Sequence, residues 1–447
     1  MKYAILLVAL MAVLPLAGWL RRNPRHTISV WIVMGVLPFV LTSGPHPLFI
    51  AVISWAGWPG YVKGAEVSAI DIIALAIYFS QERARHSLPF RLSMALYFFA
   101  ILFSALWADV PVASLFLAWQ LARMFLVYTV VTRACSDDRV APALLTGMAI
   151  GIWLAVLIAA WQRINLGVIQ AEGTIGDKNL FGLMSHFVGI PWFALLLAGQ
   201  RGRMPYLAPL GSAISAVLTA SRAALGLTAA GMILVFMLSA LRKWTQRKAK
   251  IALFSAVALL ALIPIALSSL ESRFSSEPLS NYDERAAFQR AAEMILADHP
   301  MGVGANNYVV VANTGGYNER AKVAQISGSL STNVHNAYLL AAAETGYFGV
   351  ASFVLLLLGP LIVAFRCGWR CRGDQKGDLL LGFGVALLIV YIHCFFEWIF
   401  FVYQSQYLFA MTAGMVAGVA QQLGYWGPAR SYDSRLGSGA VRSNPAI

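Results

Sequence analysis

Charge is scarce in this chain. Only 12% of its 447 residues are Asp, Glu, Lys or Arg, where soluble domains carry about 25%. Hydrophobic residues make up 59% and the mean hydropathy is +0.69, which excludes an ordinary soluble fold and implies a polytopic membrane protein. Cysteine is equally sparse. The four, Cys135, Cys367, Cys371 and Cys394, match no zinc or haem spacing and supply no disulfide framework. Signatures of common chemistries are missing too: there is no DxD, HExxH, Walker A or GxSxG. GVGAN at 302–306 is a glycine turn rather than a phosphate loop. No repeat of 20–50 residues stands out, nor an inverted repeat of the transporter kind. No basic, aromatic-interleaved soluble domain is present, so the net charge of +13 does not point to nucleic acid. Topology and attraction to anionic lipid account for it.

What remains is a series of apolar runs, each near the ~20 residues that cross the hydrocarbon as a helix. They fall at 3–20, 27–43, 66–80, 92–107, 112–131, 140–161, 180–198, 206–220, 223–241, 251–270, 336–365, 379–400 and 402–421. The expected fold is an all-α polytopic bundle of about 12 spans. The first run resembles a signal peptide, but its n-region holds one lysine and Arg21-Arg22 follow it, so it is expected to be retained. Pro and Gly interrupt 45–64, which is expected to be a re-entrant or interfacial segment.

Lys and Arg set the sidedness. One set of loops holds Arg21, Arg22, Arg25, Arg83, Arg85, Arg91, Arg133, Arg139, Arg201 and Arg203. The same set holds Arg242, Lys243, Arg247, Lys248, Lys250, Arg366, Arg370, Arg372 and Lys376, and the tail adds Arg430, Arg435 and Arg442. Together these are 22 of the 33 basic residues. The positive-inside rule puts that side, and the C-terminus, in the cytoplasm. Residues 271–335 then form one large segment outside the cytoplasm, the natural place for chemistry. The organisation reads as an N-terminal bundle (1–270), this loop with short helices (271–335), three C-terminal spans (336–423) and a Gly/Ser/Arg-rich disordered tail (424–447).

The informative residues are charges displaced from the cytoplasmic loops, each costing about 2.5–3.5 kcal/mol at a helix centre. Arg222, in LTASRAALG, lies at the outer surface against the positive-inside bias. It either snorkels at a tight turn, caps the preceding helix, or holds an anion. Arg285, in SNYDERAAFQRAAEMILADHP, begins an Ala-rich helix that Ser280 or Asn281 can cap and that ends before Pro300. Phe288, Ala292 and Ile295 share one face of it, with Arg285 at the edge. Its structural alternative is a pairing with Glu271 or Glu277. His335, in TNVHNAYLLAAAETGYFG, stands where the chain turns apolar, with Ser331, Thr332 and Asn333 as candidate caps. A helix N-terminus favours a neutral ring there, one that either accepts a proton or satisfies a backbone carbonyl.

Lys178, in GTIGDKNLFG, precedes a span and either pairs with Asp177 or meets substrate. Arg163 sits at a span end. Arg123, inside a span, must face protein or water. Asp71, Glu344 and Glu397 are embedded carboxylates whose simplest role is to pair with the arginines.

By topology Arg222, Arg285, Lys178 and Arg163 converge on one outer interface. Arginine grips phosphate oxygens bidentately, and a lipid-tailed phosphate would sit at that depth. A neutral His335 beside it suits proton abstraction from a hydroxyl, and two arginines suit a leaving pyrophosphate. The chemistry indicated is metal-free glycosyl transfer from a lipid pyrophosphate. His335, Arg222 and Arg285 are the catalytic candidates. Lys178, Arg123, Arg163, Asn336 and Tyr338 are assigned to substrate binding.

Four stretches, GDKNLFG, TASRAALGL, DERAAFQRAAEMILADHPMGVGANNY and TNVHNAYLLAAAETGYFG, resemble the O-antigen ligase and O-antigen polymerase superfamily. The last three stand in family order around one large loop. The resemblance spans roughly 174–365 and implies a bacterial inner-membrane protein of the GT-C type. It implies transfer of O-antigen from undecaprenyl pyrophosphate to a sugar of lipid A-core at the periplasmic face, with no cofactor. The family's arginine after Ser falls on Arg222, its loop arginine on Arg285 and its loop-end histidine on His335. The chain departs in having Phe288 where Trp is frequent and Ala223 where Gly is. A monomer in contact with membrane lipids is expected. One large loop followed by three spans leans to the ligase. A polymerase, a protein O-oligosaccharyltransferase, or a transporter or flippase of an anionic lipid are the alternatives.

Overall fold

In lipid every backbone N–H and C=O has to be paired within the chain, so long apolar runs emerge as helices. The computed structural model describes residues 2–43, 47–81, 88–254, 260 and 280–426. Its N-terminal helices are α1 (Lys2–Arg22), α2 (Thr27–Val36), α3 (Ala69–Ser80), α4 (Arg91–Ser104), α5 (Pro111–Ala134), α6 (Val140–Asn165), α7 (Lys178–Ala198), α8 (Met204–Leu218) and α9 (Arg222–Arg242). Four helices cover the large loop: α10 (Ser280–Asp298), α11 (Tyr308–Thr314), α12 (Tyr317–Arg320) and α13 (Ser327–Leu330). The chain closes with α14 (Ala337–Arg370), α15 (Gln375–His393) and α16 (Tyr403–Gln422). Among the described residues seven helices, α1, α5, α6, α7, α9, α14 and α15, are long and apolar enough to cross a membrane; α3, α4 and α8 are apolar but shorter. The span expected at 251–270, the domain boundary at 270, the proposed partners Glu271 and Glu277, and the tail from 427 lie largely or wholly outside the described residues.

Among the described residues the fold is mostly helical with almost no sheet, as expected, and three local features add to the sequence reading. Out of the stretch expected to be re-entrant or interfacial, 45–64, the chain builds an antiparallel hairpin of β1 (Phe49–Ser54) and β2 (Gly64–Ser68). Ile and Val in the FIAVIS run favour extended backbone. At Gly64 a Cβ would stand 2.1 Å from the Ile53 carbonyl oxygen, so only glycine permits that pairing. The span expected from residue 66 therefore starts as a strand and turns helical at Ala69. There Ser68 and Asp71 form a capping box. Secondly, α15 ends at His393 rather than running to 400. The Cys394 carbonyl accepts from the Ala337 amide (2.8 Å), and the chain bends through Phe395–Trp398. Thirdly, α14 is broken at Gly346 (φ 68°, ψ −170°).

That break seats the large loop. Pro300–Gly304 lies backbone to backbone along α14. Val303 N donates to Ala343 O (3.0 Å), Gly304 N to Glu344 O (2.8 Å) and Tyr347 N to Pro300 O (3.1 Å). A Cβ at Gly346 would stand 2.4 Å from Pro300 O. The face expected of α10 packs inward: Phe288, Ala292 and Ile295 are all buried.

The turns fall into two groups at opposite ends of the bundle. At one end Asn306 Oδ1 accepts from Val62 N (3.0 Å), Asn307 Oδ1 from Val110 N (3.1 Å), and Leu218 O from Ala171 N (3.1 Å). At the other, Arg242 pairs with Asp378 (2.6 Å), Arg247 donates to Gln200 O (3.4 Å) and Gln81 to Val130 O (3.2 Å). The second group holds the arginine-rich turns.

Within the bundle Arg123 pairs with Asp71 (3.1 Å) and donates to the Tyr407 hydroxyl (3.1 Å). That hydroxyl donates in turn to Asp71 (2.6 Å). Both charged side chains are 5% exposed, and the cluster ties α3, α5 and α16 together. Removing one partner strands the other charge, which costs about 3–5 kcal/mol. Arg123→Ala is therefore expected to lower the thermal midpoint in detergent sharply. Arg123→Ala with Asp71→Ala should recover part of the loss.

Candidate active site

The large loop returns to the bundle at Val334, which is fully buried, and His335 follows it. Sequence places the helix cap at Ser331–Asn333; in the structure the cap is Asn336. Its side chain accepts from the amides of Tyr338 and Leu339 (both 3.0 Å). His335 thus stands one residue before the cap. Its ring sits beside Phe288 of α10, centroids 6.1 Å apart.

Glu397 lies in the turn after α15. Its Oε2 meets His335 Nδ1 at 2.8 Å. Its Oε1 accepts from Arg285 Nη2 (2.9 Å) and from Asn179 Nδ2 (3.1 Å). Arg285 Nη1 also donates to the Phe396 carbonyl (3.3 Å). One carboxylate, 5% exposed, therefore joins the start of α10, the residue before the α14 cap, the first turn of α7 and the α15–α16 turn. Burial raises the pKa of this carboxyl. The hydrogen bond from His335 and the charges of His335, Arg285 and His393 outweigh that and hold it below its ordinary value. Its contribution to stability is present above the ordinary carboxylate pKa and is lost as pH falls through the depressed one. At neutral pH Glu397 is an anion.

An anion opposite Nδ1 selects the tautomer with the proton on Nδ1, leaving the lone pair on Nε2. The His335 side chain is 22% exposed and that of Arg285 45%, so both reach the surface of the cluster. Behind it, His393 Nδ1 stands 3.2 Å from His186 Nε2, and His186 Nδ1 stands 3.3 Å from Thr228 Oγ1, all buried.

Arg222 is the first residue of α9, half-buried, and Ser221 caps that helix by accepting from the Ala224 amide. Gly182 of α7 lets this turn approach: a Cβ there would lie 2.5 Å from the Ala224 Cβ. The start of α9 thus sits against α7, one turn beyond Asn179. The structure brings His335 and Arg285 into one hydrogen-bonded cluster, with the helix start that carries Arg222 packed close by.

The other expected residues are placed differently. Lys178 neighbours Asn179 in the chain and donates to Gln170 Oε1. Arg163 is exposed at the end of α6 and donates to the Ile169 carbonyl. Arg123 is held in the buried Asp71 pair described above. Asn336 is spent on its cap, and the Tyr338 hydroxyl donates to the Tyr391 carbonyl (2.9 Å). Of the embedded carboxylates, Asp71 and Glu397 pair with arginines. Glu344 instead accepts from the Tyr61 hydroxyl (2.6 Å) and the Tyr308 amide (3.2 Å). Asn179 escaped the sequence reading, although it stands inside GDKNLFG beside the lysine that drew attention.

Residues 207–354 match a family model described as O-antigen ligase. The match supports the O-antigen ligase and polymerase superfamily, the one the sequence motifs resemble, and does not distinguish its branches. No curated protein matches the chain. The matched third of the chain holds Arg222, Arg285 and His335; Asn179 and Glu397, which complete the cluster, come from outside it.

Proposed function

We propose that this chain is a glycosyltransferase of the O-antigen ligase kind. It would transfer a glycan from undecaprenyl pyrophosphate to a sugar hydroxyl of lipid A-core, at the periplasmic face of the inner membrane. The observation that carries the reading is the bridging of His335 Nδ1 and the Arg285 guanidinium by Glu397. A base and an anion-binding group are thereby fixed side by side.

The steps follow from that geometry. His335 Nε2 takes the proton of the acceptor hydroxyl as its oxygen forms a bond to the anomeric carbon. The bond from that carbon to the pyrophosphate oxygen breaks, and its electron pair leaves on the lipid pyrophosphate. Arg285 and Arg222 meet the charge that develops there. Glu397 holds the imidazole in the productive tautomer and stabilises the imidazolium that forms.

The test is the full chain in lipid nanodiscs with undecaprenyl-pyrophosphate glycan and three separate acceptors: lipid A-core, a second lipid-linked glycan, and a Ser/Thr peptide. Lipid A-core is expected to gain mass. Gain by the lipid-linked glycan alone would make the chain a polymerase, and gain by the peptide alone a protein glycosyltransferase. Transfer to none by folded protein would leave the lipid-carrier alternative. With His335 as the base and the arginines as the anion grip, activity is expected to survive chelator, and complete inhibition by a chelator would refute the metal-free route.

A further inference from the structure

A second polar recess lies away from the Glu397 cluster, between the α4–α5 turn and the large loop. It is a cavity of about 230 Å³ lined in part by Trp107, Asp109, His299, Thr314 and Tyr317. Its walls are organised. The Tyr317 hydroxyl donates to Asp298 (3.0 Å) and stands 3.1 Å from His299 Nε2, so that nitrogen carries the proton and His299 Nδ1 is left as an acceptor. Arg320 lies over the Tyr317 ring (4.3 Å) and 3.7 Å from Asp298. Trp107 is 40% exposed, and the Phe103 ring braces it edge-on at 4.5 Å.

We infer that this recess is a carbohydrate subsite, taking a sugar ring of an oligosaccharide whose reacting end lies at the Glu397 cluster. An exposed, braced indole offers a flat apolar platform for the C–H face of a pyranose. The Asp109 carboxylate, His299 Nδ1 and the oxygen of the Thr314 hydroxyl, whose proton goes to the Val310 carbonyl (3.0 Å), offer acceptors for its hydroxyls. The volume is below the ~300–1,000 Å³ of a drug-sized site, as suits one ring of a chain. Asp298 stands thirteen residues after Arg285 along α10, about 20 Å at 1.5 Å per residue. The recess is therefore out of reach of the reacting sugar and within reach of a longer glycan. Binding so far from the reacting bond tightens a substrate without touching the chemistry at its end.

The inference rests on the glycan-transfer reading, and its test separates the two. Lipid-free O-antigen fragments and core oligosaccharide, released from lipopolysaccharide by mild acid, are titrated calorimetrically against the full chain in nanodiscs. Binding by one of them is expected, weakened about tenfold or more in Trp107→Ala and Asp109→Asn and retained in Trp107→Phe. O-antigen binding assigns the recess to the donor glycan, core binding to the acceptor. Binding of neither, or affinity unchanged in Trp107→Ala, overturns the subsite whether or not transfer occurs. Where transfer occurs, Trp107→Ala is expected to raise KM about tenfold for the long form of that same substrate. Its truncated form and kcat should be unaffected. An equal loss with long and short substrates would mean general damage and overturn the proposal.

Discussion

Replacing His335 with alanine is expected to lower kcat about 10²–10⁴-fold, the usual range for loss of a general base, with little change in donor KM. Among the described residues the ring is held by Nδ1 on Glu397 at 2.8 Å, with Phe288 alongside. Alanine removes the proton acceptor while Glu397 keeps Arg285 and Asn179, so the fold should tolerate the change. Glu397→Gln should also reduce kcat, because the imidazolium loses its counter-charge. The amide oxygen still accepts from Nδ1, so the tautomer is kept. A double variant should be little worse than His335→Ala, since residues acting as a unit are not additive. Single-turnover transfer in nanodiscs at matched protein levels measures both. A His335→Ala chain within a few-fold of the parent would leave the ring an orienting role and remove the base from the scheme.

Much of this arrangement is legible in the sequence because lipid imposes strong rules. Apolar length locates the helices, and basic residues sort the turns into two groups. The charges that break those rules, Arg222, Arg285 and His335, all lie at the end of the bundle where the large loop packs. Less is legible where tertiary contact decides. The α15 boundary looks like an uninterrupted apolar run through Phe400, since the bend is made by a backbone bond from Ala337 to Cys394. Hence Glu397 reads as a residue buried in a span rather than one in the turn that faces His335. Asn179 carries no charge and breaks no pattern, and only its distance to Glu397 marks it. Arg123 looks as anomalous as Arg285 in the sequence. Its partner Asp71 stands 52 residues away, and no periodicity announces such a pair.

Arg285→Ala is expected to reduce kcat about 10²–10³-fold, the cost of losing one preorganised donor to a developing anion. The guanidinium does two jobs at once. One edge is committed to Glu397 Oε1 and the Phe396 carbonyl at 2.9 and 3.3 Å. Guanidinium carries five N–H donors, so others remain on a side chain 45% exposed to meet pyrophosphate. Lysine has the charge but not the fork. It can hold Glu397 or reach the phosphate, not both with the same geometry, so Arg285→Lys should recover only a small part of the loss. The same contrast separates chemistry from architecture. Were Arg285 only a clamp for Glu397, lysine would restore the ion pair and with it most of the activity. Kinetics of Arg285→Lys against Arg285→Ala, read beside their thermal midpoints, decide between the two roles. Full rescue by lysine would reduce the arginine to a support and leave Arg222 to carry the leaving group.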